Sequence, residues 1–236
     1  MTTPDWLERT SLLMGPDKME RFRRAHVLVV GTGGVGAYAA EMLVRAGIGR
    51  LTLLDADRVQ PSNINRQLCA LHSTVGEEKV RVLGLRFKDI NPELDLTVRA
   101  EFLEEHSAGA LLDSAKFDFI VDAIDTIAPK CALIEEAMKR RIRIVSSMGA
   151  GAKTDITQIR FADLWETFHC GLSKAVRTRL KRDGMRRPLP VVFCAQQADP
   201  AVQVEGERNK KTTTGTVSYM PAVFGCYLAQ YVISRL

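Results

Sequence analysis

The sequence predicts a Rossmann-like α/β fold: a mostly parallel sheet with helices on both faces, plus a C-terminal extension. Three observations carry this expectation. A short apolar run, His26-Val27-Leu28-Val29-Val30, ends directly in the cluster Gly31-Thr32-Gly33-Gly34-Val35-Gly36, as a buried parallel strand running into a nucleotide loop does. Short apolar runs then alternate with stretches of helical period as far as residue 146, which is the pattern of βαβ units. The chain has 236 residues, 46% of them hydrophobic, enough for one large domain with a sizeable core. A single domain over 1–236 is expected, with a nucleotide-binding core at 1–150 and a substrate-side, dimer-packing extension at 151–236.

Each element has its own signal. Residues 34–46 place Val35, Ala39, Met42, Leu43 and Ala46 at helical spacing, with Gly47 as a stop. A second strand, 51–54, ends at Asp55. Residues 77–90 read as a helix closed by Asn91-Pro92, 94–98 as a strand, 108–114 as a helix and 117–121 as a strand. A helix over 127–140 and a strand over 142–146 complete the alternation. Beyond residue 150 the pattern weakens. A strand fits 158–161, and one helix fits 163–182, ended by Asp183-Gly184. Residues 195–215 are polar and expected to be mobile, and 221–236 are apolar on most sides, as a buried or dimer-packing helix is.

Gly31, Gly33, Gly34 and Gly36 let the backbone approach a phosphate, whose charge is met by free amides and a helix N-terminus. Asp55, ending the next strand, is placed to bind ribose hydroxyls. These features define an adenosine site without choosing between NAD and ATP. The residues that follow make the choice. Ser62-Asn63-Ile64-Asn65-Arg66-Gln67 and then Lys79 supply two cations near the phosphates. Hydride transfer has no need of them. Cleavage of a triphosphate does, because negative charge moves onto the bridging oxygen as the α-phosphorus is attacked. Asp125, in Asp122-Ala123-Ile124-Asp125 with Thr126 beside it, is a candidate Mg²⁺ ligand, since Mg²⁺ takes one or two carboxylates plus phosphate oxygens. Singly, Arg66 and Lys79 fit surface side chains and Asp125 fits a helix cap; the combination points to Mg-ATP. Asp122 counts as support only.

The runs GTGGVG, LDAD, SNINRQ, the helix carrying Lys79, and DAID resemble the nucleotide-binding core shared by ubiquitin-activating enzymes and the bacterial adenylyltransferases of molybdopterin and thiamine synthesis. The resemblance spans residues 9–150 and implies that Gly34, Asp55, Ser62, Asn63, Arg66, Lys79 and Asp125 contact Mg-ATP. Arg9-Thr10-Ser11-Leu12-Leu13-Met14-Gly15 resembles the R-x-x-x-L-x-G motif of that group. There the arginine reaches the phosphates of a neighbouring subunit, so Arg9 is expected to act across a homodimer; a plain surface residue fits the position equally.

Within this superfamily the chain is most similar to the tRNA threonylcarbamoyladenosine dehydratases, on Ala46-Gly47-Ile48-Gly49, Asp122-Ala123-Ile124-Asp125, Met148-Gly149-Ala150-Gly151, Val191-Val192-Phe193-Cys194 and Gly215-Thr216-Val217-Ser218-Tyr219-Met220-Pro221. The resemblance implies ATP-dependent adenylation of a threonyl carboxylate on tRNA, then ring closure by the neighbouring ureido group with loss of AMP. Arg66 and Lys79 would stabilise phosphate charge, Asp125 would hold Mg²⁺, and Asp55 would anchor the ribose. Activators of sulfur-carrier proteins usually carry two CxxC zinc pairs, and this chain has none. Such an activator is the first alternative, and a catalytically silent partner subunit of a heterodimer is the second. An NAD-dependent oxidoreductase is the third, and it leaves Lys79 and SNINRQ unexplained. A sulfur-transfer partner is left open.

The net charge of +5 is concentrated. Residues 173–187 hold Lys174, Arg177, Arg179, Lys181, Arg182, Arg186 and Arg187 against the single acid Asp183. Either a polyanion-binding patch, here tRNA over 174–187, or a solvated helix face accounts for it. Cys69, Cys131, Cys170, Cys194 and Cys226 are odd in number and unpaired in spacing, which favours reduced structural thiols. Cys194, expected in a polar loop region, is weighed as a nucleophile, with packing favoured. No apolar stretch reaches the roughly 18 residues of a membrane span, and the start lacks the features of a signal peptide, so a cytoplasmic protein is expected.

Overall fold

The computed structural model of the chain describes residues 4–197 and 214–236. Its central strands hide both faces. In β1 (His26–Val30), Val27 and Val29 join one apolar cluster while Leu28 and Val30 join the other, because successive strand side chains point to opposite sides. The sheet runs β3 (Asp95–Arg99), β2 (Arg50–Leu54), β1, β4 (Phe119–Asp122), β5 (Arg143–Ser147), β7 (Pro190–Cys194) and β6 (Ile159–Asp163). Neighbours are parallel except β6, which runs antiparallel to β7 at one edge.

One face is covered by α2 (Pro16–Arg24), α3 (Gly36–Arg45), α4 (Lys79–Ile90) and α8 (Tyr219–Arg235), through Phe22, Leu43, Phe87 and Phe224. The other carries α5 (Ala108–Asp113), α6 (Ile127–Lys139) and α7 (Gly171–Arg182), through Leu111, Ile134 and Val176. A short α1 (Glu8–Met14) precedes them. Strand order reverses between β1 and β4, so their carboxyl ends open the crevice in which such sheets bind ligands. Among the described residues no helix is long and apolar enough to cross a membrane.

The first half follows the expected elements closely. The second half departs from them in two places, while its last helix is buried as one of the two expected alternatives has it. The single helix expected over 163–182 is broken: Asp163 accepts a hydrogen bond from the Trp165 amide to cap a short 3-10 turn, His169 stands at φ +51°, and α7 starts only at Gly171. Arg177 braces the break: its Nη1 donates to the carbonyl oxygens of Leu164 and Thr167, acceptors that a continuous helix would use for its own ladder. Cys194 does not lie in a polar loop; it is the last residue of the buried strand β7. The helix expected at 221–236 starts at Tyr219 and packs on α3 of the same chain, so closely that a Cβ at Gly225 would stand 2.5 Å from the Val35 carbonyl oxygen. Of the segment 195–215, residues 198–213 lie outside the described residues.

Candidate functional site

β1 and β4 end side by side, and the turns that follow them are pressed together. Gly31 has φ +85°, and a Cβ there would sit 2.7 Å from the Ala123 carbonyl oxygen; only glycine permits both the left-handed backbone and this approach. The Gly31 amide donates to Leu54 O, and the Ala123 amide to Val30 O. Gly33 and Gly34 are half-buried, Gly33 against Gln67 and Gly34 against the Arg66 backbone and Pro221. Gly36 opens α3. The start of α8 is therefore one wall of the glycine loop.

Asp55 is oriented by that loop. Its Oδ2 accepts from the Thr32 amide (2.6 Å) and hydroxyl (3.0 Å), and its Oδ1 from the Asp57 amide (2.8 Å). A carboxylate has about four acceptor positions, two on each oxygen; Oδ2 is filled by Thr32, and Oδ1 keeps one for a further hydroxyl. Asp57 in turn faces Lys79, whose Nζ lies 2.7 Å from its Oδ2. Lys79 is the first residue of α4 and is 4% exposed, while the Asp57 side chain is 69% exposed. Thr32, Asp55, Asp57 and Lys79 thus form one linked line from the glycine loop to a buried cation.

Arg66 is half-buried, its Nη1 donating to Ser62 O (2.9 Å) and Asn65 Oδ1 (2.8 Å). Asn65 also donates to Thr216 O, tying the arginine's support to the segment that leads into α8. Asn63 is buried, and its Oδ1 accepts from the Gln60 amide to close the turn that presents exposed Ser62. Asp125 is exposed on the turn after β4, and the Thr126 hydroxyl lies 3.4 Å from its Oδ1. Among the described residues no group of three His, Cys, Asp or Glu could hold a metal unaided. An exposed carboxylate on the turn beside the glycine loop is a donor of the kind Mg²⁺ takes, one or two at a time, with its remaining ligands from phosphate and water.

The structure brings the glycine loop, Asp55, Ser62, Asn63, Arg66, Lys79, Asp125 and Thr126 to the carboxyl ends of β1, β2 and β4. It does not bring Arg9 there. Leu7 rests against Gly47, at the turn between α3 and β2, so α1 is rooted at the opposite end of the sheet. Three further residues escaped the sequence reading. Asp57 sits in Asp55-Ala56-Asp57 and could have been flagged as the partner of Lys79. Lys130 and Lys153 look like surface lysines, yet both are buried. The Lys153 ammonium donates to the carbonyls of His169, Cys194 and Gln196, fixing the carboxyl end of β7. Cys194 is sealed from solvent, with its Sγ towards Asp155 O. Burial pushes the Cys131 thiol up to about 12, so that thiol too is inert.

The basic segment is also resolved into parts. Arg177 is spent on carbonyls, Arg179 pairs with Asp183 and Glu105, and Arg182 pairs with Asp183. Lys174, Lys181, Arg186 and Arg187 are exposed and outside these ion pairs. Lys174, Ala175, Thr178 and Arg182 line an open depression of about 380 Å³ on α7. The patch is smaller than seven cations suggested.

A doubly wound sheet with a glycine turn, an aspartate just after its second strand and side-chain cations at its switch point defines a Rossmann-type nucleotide-binding protein. A model of the ThiF family matches residues 7–236, and the chain belongs to that family. It is 36% identical to the tRNA threonylcarbamoyladenosine dehydratase of Bacillus subtilis over 97% of this chain and 93% of the relative. It is 30% identical to the molybdopterin-synthase adenylyltransferase of Escherichia coli over 86% and 82%. Among solved structures it superposes on the E. coli tRNA N6-threonylcarbamoyladenosine dehydratase in complex with AMP, with a TM-score of 0.90 and 34% identity over 100% of this chain and 96% of the other. The ATP complex of that enzyme gives 0.89 at 33% identity, with the same coverage.

Proposed function

We propose that this chain is an ATP-dependent tRNA threonylcarbamoyladenosine dehydratase. The threonyl carboxylate of the modified adenosine attacks the α-phosphorus of ATP and expels pyrophosphate. The ureido group beside it then closes on the acyl-adenylate carbonyl, losing a proton and expelling AMP, to leave the cyclic nucleoside. Activation is needed because a carboxylate oxygen is a very poor leaving group. The observation that carries the reading is the line from the glycine loop through Asp55 and Asp57 to buried Lys79. A cation whose carboxylate partner faces water is poised to turn to phosphate oxygens when the triphosphate arrives. Arg66 supplies the second cation, Asp55 the ribose anchor, and Asp125 the ligand through which Mg²⁺ would screen the phosphates. The near-full-length similarity to dehydratases supports the choice of substrate.

Two partners belong to this reading. The exposed cations Lys174, Lys181, Arg186 and Arg187 on and after α7 meet tRNA phosphates. A second copy of the chain supplies Arg9: α1 is remote from its own site, and it exposes Leu12 and Leu13 at 81% and 80%, an apolar pair suited to burial against a partner. Incubation of tRNA bearing the threonylcarbamoyl nucleoside with the protein and Mg-ATP, followed by nucleoside mass spectrometry, is expected to show loss of one water. Turnover that needs a sulfur-carrier protein and ignores tRNA would overturn the proposal.

A further inference from the structure

Below the turn that carries Asp125 lies a network that contacts no nucleotide atom in the reading above. Asp122 ends β4, in register with Val30 of β1 and Ser146 of β5. Its Oδ2 accepts from the Ser146 hydroxyl (2.6 Å) and faces Lys130 Nζ (2.8 Å), and its Oδ1 accepts from the Ile124 amide (3.1 Å). Lys130 Nζ also donates to the Ile124 carbonyl oxygen (2.9 Å). The side chains of Asp122 and Lys130 are 0% exposed.

Withdrawing both charges from water is costly, and a packed apolar pair commonly gives equal stability. The pair's distinctive product here is geometry. The two peptide groups that flank Ile124 are both held, the first through the Ile124 N–H on Asp122 and the second through the Ile124 C=O on Lys130, and the next residue is Asp125. The same turn presses Ala123 O onto Gly31. The network therefore fixes where the Asp125 carboxylate stands relative to the phosphate loop.

We propose that Lys130, acting with Asp122, is a positioning residue that sets the Asp125 carboxylate for the metal ion of Mg-ATP. This rests on the functional reading above. Octahedral Mg²⁺ tolerates little misplacement of a ligand, and supporting residues behind metal ligands typically contribute about 10–100-fold in metal affinity.

The test is calorimetric binding of a non-hydrolysable ATP analogue to the full chain across a Mg²⁺ titration, with AMP binding in metal-free buffer and the melting temperature as companions. Lys130→Met alone strands a buried carboxylate, so the informative variant is the neutral pair Asp122→Asn with Lys130→Met. Its Mg²⁺ midpoint is expected to rise about 10-fold or more while AMP affinity holds. Ser146→Ala, which keeps both charges and removes one hydrogen bond from Asp122, should shift the midpoint the same way by less, and it decides the matter if the pair variant does not fold. A wild-type midpoint in both overturns the proposal, as does a melting temperature and AMP affinity that fall with the midpoint unmoved. Asp125→Ala separates the layers. If it abolishes the Mg²⁺ response while the pair variant keeps it, only the positioning role fails; if it leaves the response intact, the metal reading fails and this proposal falls with it.

Discussion

Two lysines with the same chemistry do different things. Lys79 and Lys130 are both buried, each within hydrogen-bond distance of one aspartate. The partner of Lys79 is 69% exposed; the partner of Lys130 is 0% exposed. An ion pair with one side in water can exchange that carboxylate for a phosphate at small cost. A pair closed on both sides cannot open without stranding a charge. The mouth of the site is built from the first kind and its floor from the second, and the difference lies in the carboxylate rather than in the cation.

The sharpest way to break this contrast is to remove each lysine singly. Lys130→Met is expected to destabilise the chain by about 3–5 kcal/mol, measured by urea unfolding, because Asp122 is left charged and buried. Lys79→Ala should leave the melting transition nearly in place and lower AMP formation by about 10²–10³-fold, the usual effect of losing one donor to transition-state charge. If the two variants lose stability equally, the open and closed pairs are not distinct.

The contrast extends to α7. Charge reversal at exposed Lys174 and Lys181 should weaken tRNA binding and reduce its salt slope by about 1 per lost phosphate contact, with the fold intact. Reversal at Arg177, which is committed to the Leu164 and Thr167 carbonyls, should instead lower the melting temperature. A uniform response across the segment removes the distinction. The smallest effect is expected where the geometry is inverted: Glu41 is buried and its partners Arg86 and Arg45 are half-exposed. Burial opposes its charged form, but the hydrogen bonds from Arg86 and Arg45 outweigh it and hold the carboxyl below the ordinary range. A lowered folded-state value contributes stability that is full above the unfolded value and lost as pH falls through the folded one. Glu41→Gln should therefore cost about 1 kcal/mol near neutrality and converge with the parent chain as pH drops below 4, followed by pH-dependent unfolding.

The parallel half of the fold was legible because each signal is local: an apolar run, a glycine turn, a helical period. β1, α3, β2 and the glycine loop need no distant contact to be recognised. The later half hides its logic in long-range bonds. A histidine at positive φ leaves no mark in composition, so the break before α7 was invisible, and β7 is five residues running into a polar stretch. The positions of Arg66, Lys79 and Asp125 at one mouth were readable from motif spacing. The burial of Lys130 and Lys153 was not, since a lysine among apolar neighbours reads alike whether its amine reaches water or a carbonyl cage.

Pro221 against Gly34 carries one more consequence. The phosphate cradle opens soon after residue 30, yet its wall arrives only with the final helix. During synthesis the early half therefore waits, and a chain halted before Tyr219 holds the glycine loop, Asp55, Arg66, Lys79 and Asp125 while lacking the side that packs on the loop. The surroundings of Gly34 are complete only once the last helix has been made and has docked.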